Sequence, residues 1–302
     1  LLQDMLLGFY ENRLFANGNT IEHAKTHTVF IDSNELPNET NGAMLDRFFV
    51  IFFPMLQGAP ELYAFTKLFS GVHHNPMDVI QSVVPLENIR MLNKKATTAT
   101  LPPQTILAWN EILNGISGNT TRLGEKVSSS AESSFLRGSF QQFNDVTQRS
   151  QGKAMQLAKA RACRKGRDYV LPHDLASALP AMWSDHSYFA GIKSVLYSWA
   201  LPTYSANADR ARHAKECADQ CIDDTTRYIR GDSDFDTEKK SWEDALNGLK
   251  DARVEIKKSA DTAYEFSGNT ELPDEIEDII RGLEDYTSFC NELRTIAIGT
   301  GV

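Results

Sequence analysis

The chain has 302 residues, enough for one large or two ordinary domains with cores of their own. Hydrophobic residues make up 41% and charged ones 24%, with no apolar run near the length of a bilayer span, so the chain reads as soluble and globular, without a transmembrane helix. The net charge of −9 is uneven: between Leu201 and Val302 stand 23 acidic and 13 basic side chains, against 17 and 18 before them. The last third therefore argues against a nucleic-acid backbone as partner, and for solvated helices or a basic protein partner.

In chain order, residues 1–15 read as a helix feeding a loop and a strand, with no helix-start signal before it, so the chain is expected to begin inside a domain. No basic segment precedes a cleavable apolar one, which argues against a secretory route. Cys163, Cys217, Cys221 and Cys290 are too sparse for a disulfide framework and fit a reducing, cytoplasmic setting.

The rest of the chain is organised around residues 29–53 (VFIDSNELPNETNGAMLDRFFVIFF). Two apolar, β-rich runs flank a polar loop, each with a polar group at its boundary: Ser33, Asn34 and Glu35 after the first, Asp46 and Arg47 before the second. Buried neighbouring strands of an α/β sheet deliver residues to a nucleotide in this way, because ligands sit at strand ends. Beyond Pro54 and Pro60 the pattern turns helical, over 60–71, 85–95 and 102–116, each with proline near its start. The clearest apolar stripe is Ile106, Trp109, Ile112, Leu113 and Ile116. Residues 117–134, rich in Gly, Ser and Thr, read as a loop.

Residues 149–167 hold seven basic side chains and no acid (Arg149, Lys153, Lys159, Arg161, Arg164, Lys165, Arg167). No aromatic interleaves them as a stacking platform requires, so a solvated helix face with one nucleotide contact is the preferred reading over a nucleic-acid surface. Long helices over 210–230, 236–266 and 273–298, with short breaks between, predict antiparallel hairpins. His213, Cys217 and Cys221 fall at i, i+4 spacings that could ligate a metal, but no second Cys/His pair completes a site, and a core stripe is the better reading. His23, His27, His73 and His74 read as surface or structural residues, and Trp183, Tyr188, Phe189 and Trp199 as core or hairpin packing.

Three stretches carry a family resemblance. Residues 6–18 (LLGFYENRLFANG), the SNELP of 33–37 with the later Asp46-Arg47, and residues 147–175 (TQRSQGKAMQLAKARACRKGRDYVLPHDL) resemble, in order, blocks of AAA+ ATPases of the MoxR family, in its RavA-like branch. Two departures stand out: Glu11-Asn12 where the family has Asn-Glu, and Thr147-Gln148-Arg149 where it opens with Ser-x-Arg. The resemblance implies that Asn34 is the sensor 1 residue polarising the attacking water. It implies that Arg47 is an arginine finger reaching a neighbouring subunit's γ-phosphate, and Arg149 the sensor 2 arginine of a helical lid. Asp174 would stand near the positive end of the helix after that lid helix. Arg13 would brace the fold or a subunit interface. Phosphoryl transfer rests on positioning and charge neutralisation, so these residue types suit those roles.

The implied fold is mainly α with a small α/β part: 1–57 the tail of an αβα core, 58–185 an insert and helical lid, 186–302 an α-helical extension that the resemblance does not reach. ATP and Mg2+ are implied as cofactors, a homo-hexamer as the assembly, and a von Willebrand factor A protein as partner in chaperone-like remodelling. The phosphate-loop pattern G-x-x-x-x-G-K-[ST] occurs nowhere: Gly152-Lys153 lacks the upstream glycine and precedes Ala154. The segment ending in Asp32 has the shape of a Walker B strand, but Ser33 follows where a second acid belongs. The chain alone is thus expected neither to bind ATP tightly nor to hydrolyse it. A non-catalytic helical scaffold derived from a lid and a nucleic-acid remodelling machine are the alternatives.

Overall fold

A computed structural model describes residues 14–17, 20–23, 59–60, 62, 85–116, 148–182, 186–232, 234–265 and 271–299. The described residues are mainly helical, and their β structure is an antiparallel hairpin of β1 (Leu14–Asn17) and β2 (Thr20–His23), in register Leu14 to His23 and Asn17 to Thr20. Leu14 and Phe15, at the end of the stretch read as a helix feeding a loop and a strand, are strand residues. Gly18 and Asn19 between the strands have the composition that two-residue hairpin connections favour, since both residue types tolerate positive φ. The two apolar runs of 29–53 lie outside the described residues.

The helices fall into two compact units, one containing Leu86–Ala200 and the other Leu201–Val302. In the first, α1 (Leu86–Thr98) begins after Pro85, with Glu87 in its positive first turn and Lys95 in its last, the arrangement the helix dipole favours. At its end the hydroxyls of Thr97 and Thr98 donate back to the carbonyls of Lys94 and Lys95, at 2.7 and 2.9 Å. α2 (Pro103–Ile116) starts on a proline, where a missing N–H costs nothing. It buries Thr105, Trp109, Ile112, Gly115 and Ile116. Of the expected stripe Ile106 is instead 46% exposed, because Thr105 takes the inward position and donates its hydroxyl to the Val170 carbonyl at 2.6 Å.

α3 (Gln148–Arg164) buries Ala154, Ala158 and Ala162, small side chains that let neighbours approach its backbone. It ends in a Schellman motif: Gly166 at φ 78°, with Arg167 N donating to Ala162 O (2.9 Å) and Gly166 N to Cys163 O (3.0 Å). The chain then runs extended through Val170, with a parallel bridge between Tyr169 and Thr100, before a 3-10 turn (Pro172–Ala178) and the one-turn α4 (Leu179–Met182). The last helix of the unit, α5 (His186–Ala200), buries Ile192, Val195 and Leu196. It lies so close to α2 that a Cβ on Gly115 would sit 2.7 Å from Val195 Cγ1.

The second unit is a bundle of α6 (Tyr204–Ile229), α7 (Phe235–Ala263) and α8 (Asp274–Gly299), each packed against the other two. Its core repeats in steps of four and three: Asn207, Ala211, Ala214, Ala218, Cys221 and Thr225 on α6; Glu238, Trp242, Ala245, Leu249, Ala252 and Ile256 on α7. On α8, Ile276, Leu283, Cys290 and Ala297 recur every seven residues. A 3.5-residue period keeps one seam facing its partners along the whole length of a helix, which is how helices this long share one core. That period decides the fate of the His213, Cys217, Cys221 series. Steps of four drift off the seam, so Cys221 is buried while His213 and Cys217 are exposed.

Candidate functional site

Arg149 is the second residue of α3, exposed to solvent, one turn before Lys153 on the same side of the helix. No acid occupies the first turn of α3, so the partial positive charge of its first N–H groups adds to that of the two cations. An anion is the ligand such an end suits. Asn34, Arg47 and Arg13 lie outside the described residues. Gly152 and Lys153 are helical, not part of a phosphate-cradling loop. Among the described residues no group of three or more His, Cys, Asp or Glu could hold a metal ion.

The other end of α3 is tied down by Asp174, a carboxylate whose sequence context marks it only as a helix starter. Fully buried, it takes Arg167 through a two-pronged pair, Nη1 to Oδ2 at 2.6 Å and Nη2 to Oδ1 at 2.8 Å. Its Oδ2 also accepts the backbone N–H of Leu171 at 2.7 Å, which caps the 3-10 turn. Arg161 Nε stands 3.7 Å and His173 Nε2 3.8 Å from Oδ1. The Arg161 and Arg167 side chains are only 6% and 8% exposed, so two of the seven basic residues of 149–167 serve an internal ion pair and not the solvated face expected of them. In the sequence both arginines read as solvated cations, because the carboxylate that buries them is brought by the fold.

These contacts fix α3 within its unit. Cys163 Sγ meets the Leu92 carbonyl at 3.8 Å and Lys159 Nζ the Thr97 carbonyl at 3.4 Å, both on α1. The strand-like pairing of Thr100 with Asp168 and Val170 joins the α1–α2 connection to the segment after α3 (2.9 and 3.0 Å). Arg149 thus stands near the start of a rod whose far end is locked, about 25 Å away at 1.5 Å per residue. Elsewhere, Trp199 is 37% exposed at the end of α5, more open than core packing would leave it. No helix among the described residues is long and apolar enough to cross a membrane. Compared with protein-family models and with curated proteins, the chain matches none.

Proposed function

We propose that this chain is part of a MoxR-type, RavA-like AAA+ ATPase, with Leu86–Ala200 containing its helical lid and Arg149 its sensor 2. The observation that carries the reading is the pairing of an exposed Arg149 at one end of α3 with the Asp174 lock at the other. A lid must turn as one body when the nucleotide changes, and a rod fastened at one end transmits a pull on its other end to the whole unit. The order of the sequence blocks adds support, with Asn34, Arg47 and Arg149 following one another as sensor 1, finger and sensor 2 do.

The residues at the start of α3 fit a triphosphate, being cationic and with no acid in the first turn. Mg2+ in such enzymes rests on a phosphate-loop hydroxyl and a strand acid, neither of which α3 would supply. ATP bound at a subunit junction supplies the free energy. Arg149 holds a phosphate from the lid side, Asn34 orients the attacking water, and Arg47 neutralises charge on the neighbour's γ-phosphate. A homo-hexamer remodelling a partner, with a von Willebrand factor A protein as adaptor, follows from the resemblance. The nucleic-acid alternative loses ground because Arg161 and Arg167 are turned onto Asp174, leaving a weaker cationic face.

The test is ATP hydrolysis by the protein joined to a phosphate-loop segment. Arg149→Ala is expected to abolish turnover without loss of helicity. Arg47→Ala is expected to cost roughly 10³-fold or more, as arginines supplied in trans do, and to recover when mixed with phosphate-loop-dead subunits. Undiminished turnover in both single variants would refute the assignment. Labelled single strands that bind, and let go steeply as salt is added, would favour the nucleic-acid reading instead.

A further inference from the structure

The α6–α7 hairpin buries one carboxyl group, Glu238, 1% exposed in the first turn of α7. Its Oε1 is in hydrogen-bond contact with Thr225 Oγ1 on α6, and among the described residues no hydrogen-bond partner meets its Oε2. Thr225 Oγ1 has two further contacts: the Cys221 carbonyl at 2.8 Å and the indole Nε1 of Trp242 at 2.9 Å. A hydroxyl has one proton to give and two lone pairs to receive with. The indole N–H can only donate, so it takes one lone pair. A carbonyl can only accept, so it takes the proton. The contact with Glu238 is then satisfied only if the carboxyl group itself donates.

We propose that Glu238 is held as the neutral acid, donating to Thr225, and that the α6–α7 hairpin is a pH-sensitive joint which loosens when this proton is released to solvent. Ionised, Glu238 would set a second acceptor against a hydroxyl whose one proton is committed to Cys221, or pull that proton away and leave a helix carbonyl unpaired. Either outcome strains the contact between Thr225 and Trp242 at the core of the hairpin.

The charged and titratable surroundings act in the same direction on balance. Burial pushes the Glu238 carboxyl above the ordinary carboxylate range. The Thr225 bond and, less strongly, Arg227 oppose this, and Asp224 reinforces it. Asp224 is itself anchored by Arg227 (2.6 Å), Ser241 (3.0 Å) and Gln220 (3.1 Å). Cys221 on α6 also faces Glu238, while α8 brings Cys290 against Cys221, with Asp219 of α6 acting on Cys290. A group whose folded value is raised stabilises fully at pH below its unfolded value. That stability is lost as pH rises through the folded value, by up to about tenfold in the folded-to-unfolded ratio per pH unit for one proton.

The indole N–H resonance of Trp242 in the full chain, assigned with Trp242→Phe, reads this directly. In the wild type it is expected to shift with pH along a one-proton curve centred above the ordinary carboxylate range. In Glu238→Gln, whose amide can donate to Thr225 at every pH, it is expected to hold still, and urea unfolding is expected to lose the matching pH dependence. A wild-type resonance that does not move, a curve centred in the ordinary range, or the same curve in Glu238→Gln would overturn the proposal. Should Glu238→Gln fail to fold, the carboxyl-carbon shift of Glu238 in the wild type decides on the same terms.

Discussion

Replacing Asp174 by Asn changes no volume and isolates one variable, the negative charge at the end of α3. In the wild type that charge meets the Arg167 guanidinium at 2.6 and 2.8 Å, with side chains 8% and 0% exposed, and Arg161 at 3.7 Å. Solvent screens little at such exposure. Asn leaves both cations facing a neutral amide, whose NH2 opposes one prong of Arg167, while a single oxygen must still serve Leu171 N. Breaking a buried pair by removing one partner costs about 3–5 kcal/mol, a large part of the roughly 5–15 kcal/mol that holds a domain together. Urea unfolding measures the loss, and hydrogen exchange on peptides from Leu86–Ala200 assigns it to the first unit, leaving α6 to α8 protected as before. The control is Asp209→Asn, whose partner Arg212 is equally close at 2.6 Å but where both side chains are about two-thirds exposed. It is expected to change stability by less than about 0.5 kcal/mol. An Asp174→Asn loss below about 1 kcal/mol, no different in kind from this control, would refute the claim that this buried pair locks α3.

Gly115→Ala is expected to destabilise the first unit by about 1–3 kcal/mol, since the new methyl meets Val195 Cγ1 at 2.7 Å; adding Val195→Ala should recover part of that, and thermal unfolding of the three variants checks it. Leu249→Ala removes a fully buried side chain from the bundle seam and should cost about 2–5 kcal/mol in urea unfolding. A thiol reagent should modify exposed Cys217 in the native protein but spare Cys221 and Cys290 until unfolding, burial having pushed their thiols up to about 12 and about 11; early labelling of all three would contradict the bundle. Asp234, whose carboxylate is lowered chiefly by the backbone N–H of Thr237 and then by its hydroxyl, stabilises the start of α7 above its unfolded value and loses that as pH falls through the lowered one. Asp234→Ala should therefore lower the melting temperature near neutral pH and converge with the wild type in acid.

The long helices were legible because they are long: three runs of heptad-like apolar spacing, parted near Gly231 and Pro273, leave no other way to bury their stripes. The period itself is harder to see. A step of four misses the seam by one residue wherever the seam steps by three, as from Ala218 to Cys221, so spacing alone groups His213 and Cys217 with Cys221 although only the last lies on the seam. Apolarity misleads at Ile106 for a related reason. A pattern count cannot know that Thr105 has a carbonyl to meet 65 residues away, and that bond puts Thr105 inward in place of Ile106. The charged residues were least legible. Arg161 and Arg167 look like any solvated cations in sequence, and Glu238 like any surface acid, because what buries each is a partner brought by the fold: Asp174 across a Schellman turn, Thr225 across a hairpin.

Two carboxylates stand at the start of α7, just after the α6–α7 turn. Asp234 and Glu238 are one helical turn apart, both in the segment that starts α7, yet they respond to pH with opposite sign. Asp234 caps the helix as an anion, in water, and fails when protonated. Glu238 bonds Thr225 as an acid, in the core, and fails when ionised. The hairpin should then be most stable near the ordinary carboxylate range and lose stability toward the lowered value of the first on the acid side and toward the raised value of the second on the alkaline side, with Asp234→Ala erasing the acid limb alone and Glu238→Gln the alkaline limb alone. Unfolding of the two single variants and the double across pH separates these limbs. If either single substitution flattened both sides, the turn would be responding to its overall charge, and the assignment of one limb to each carboxyl would fall.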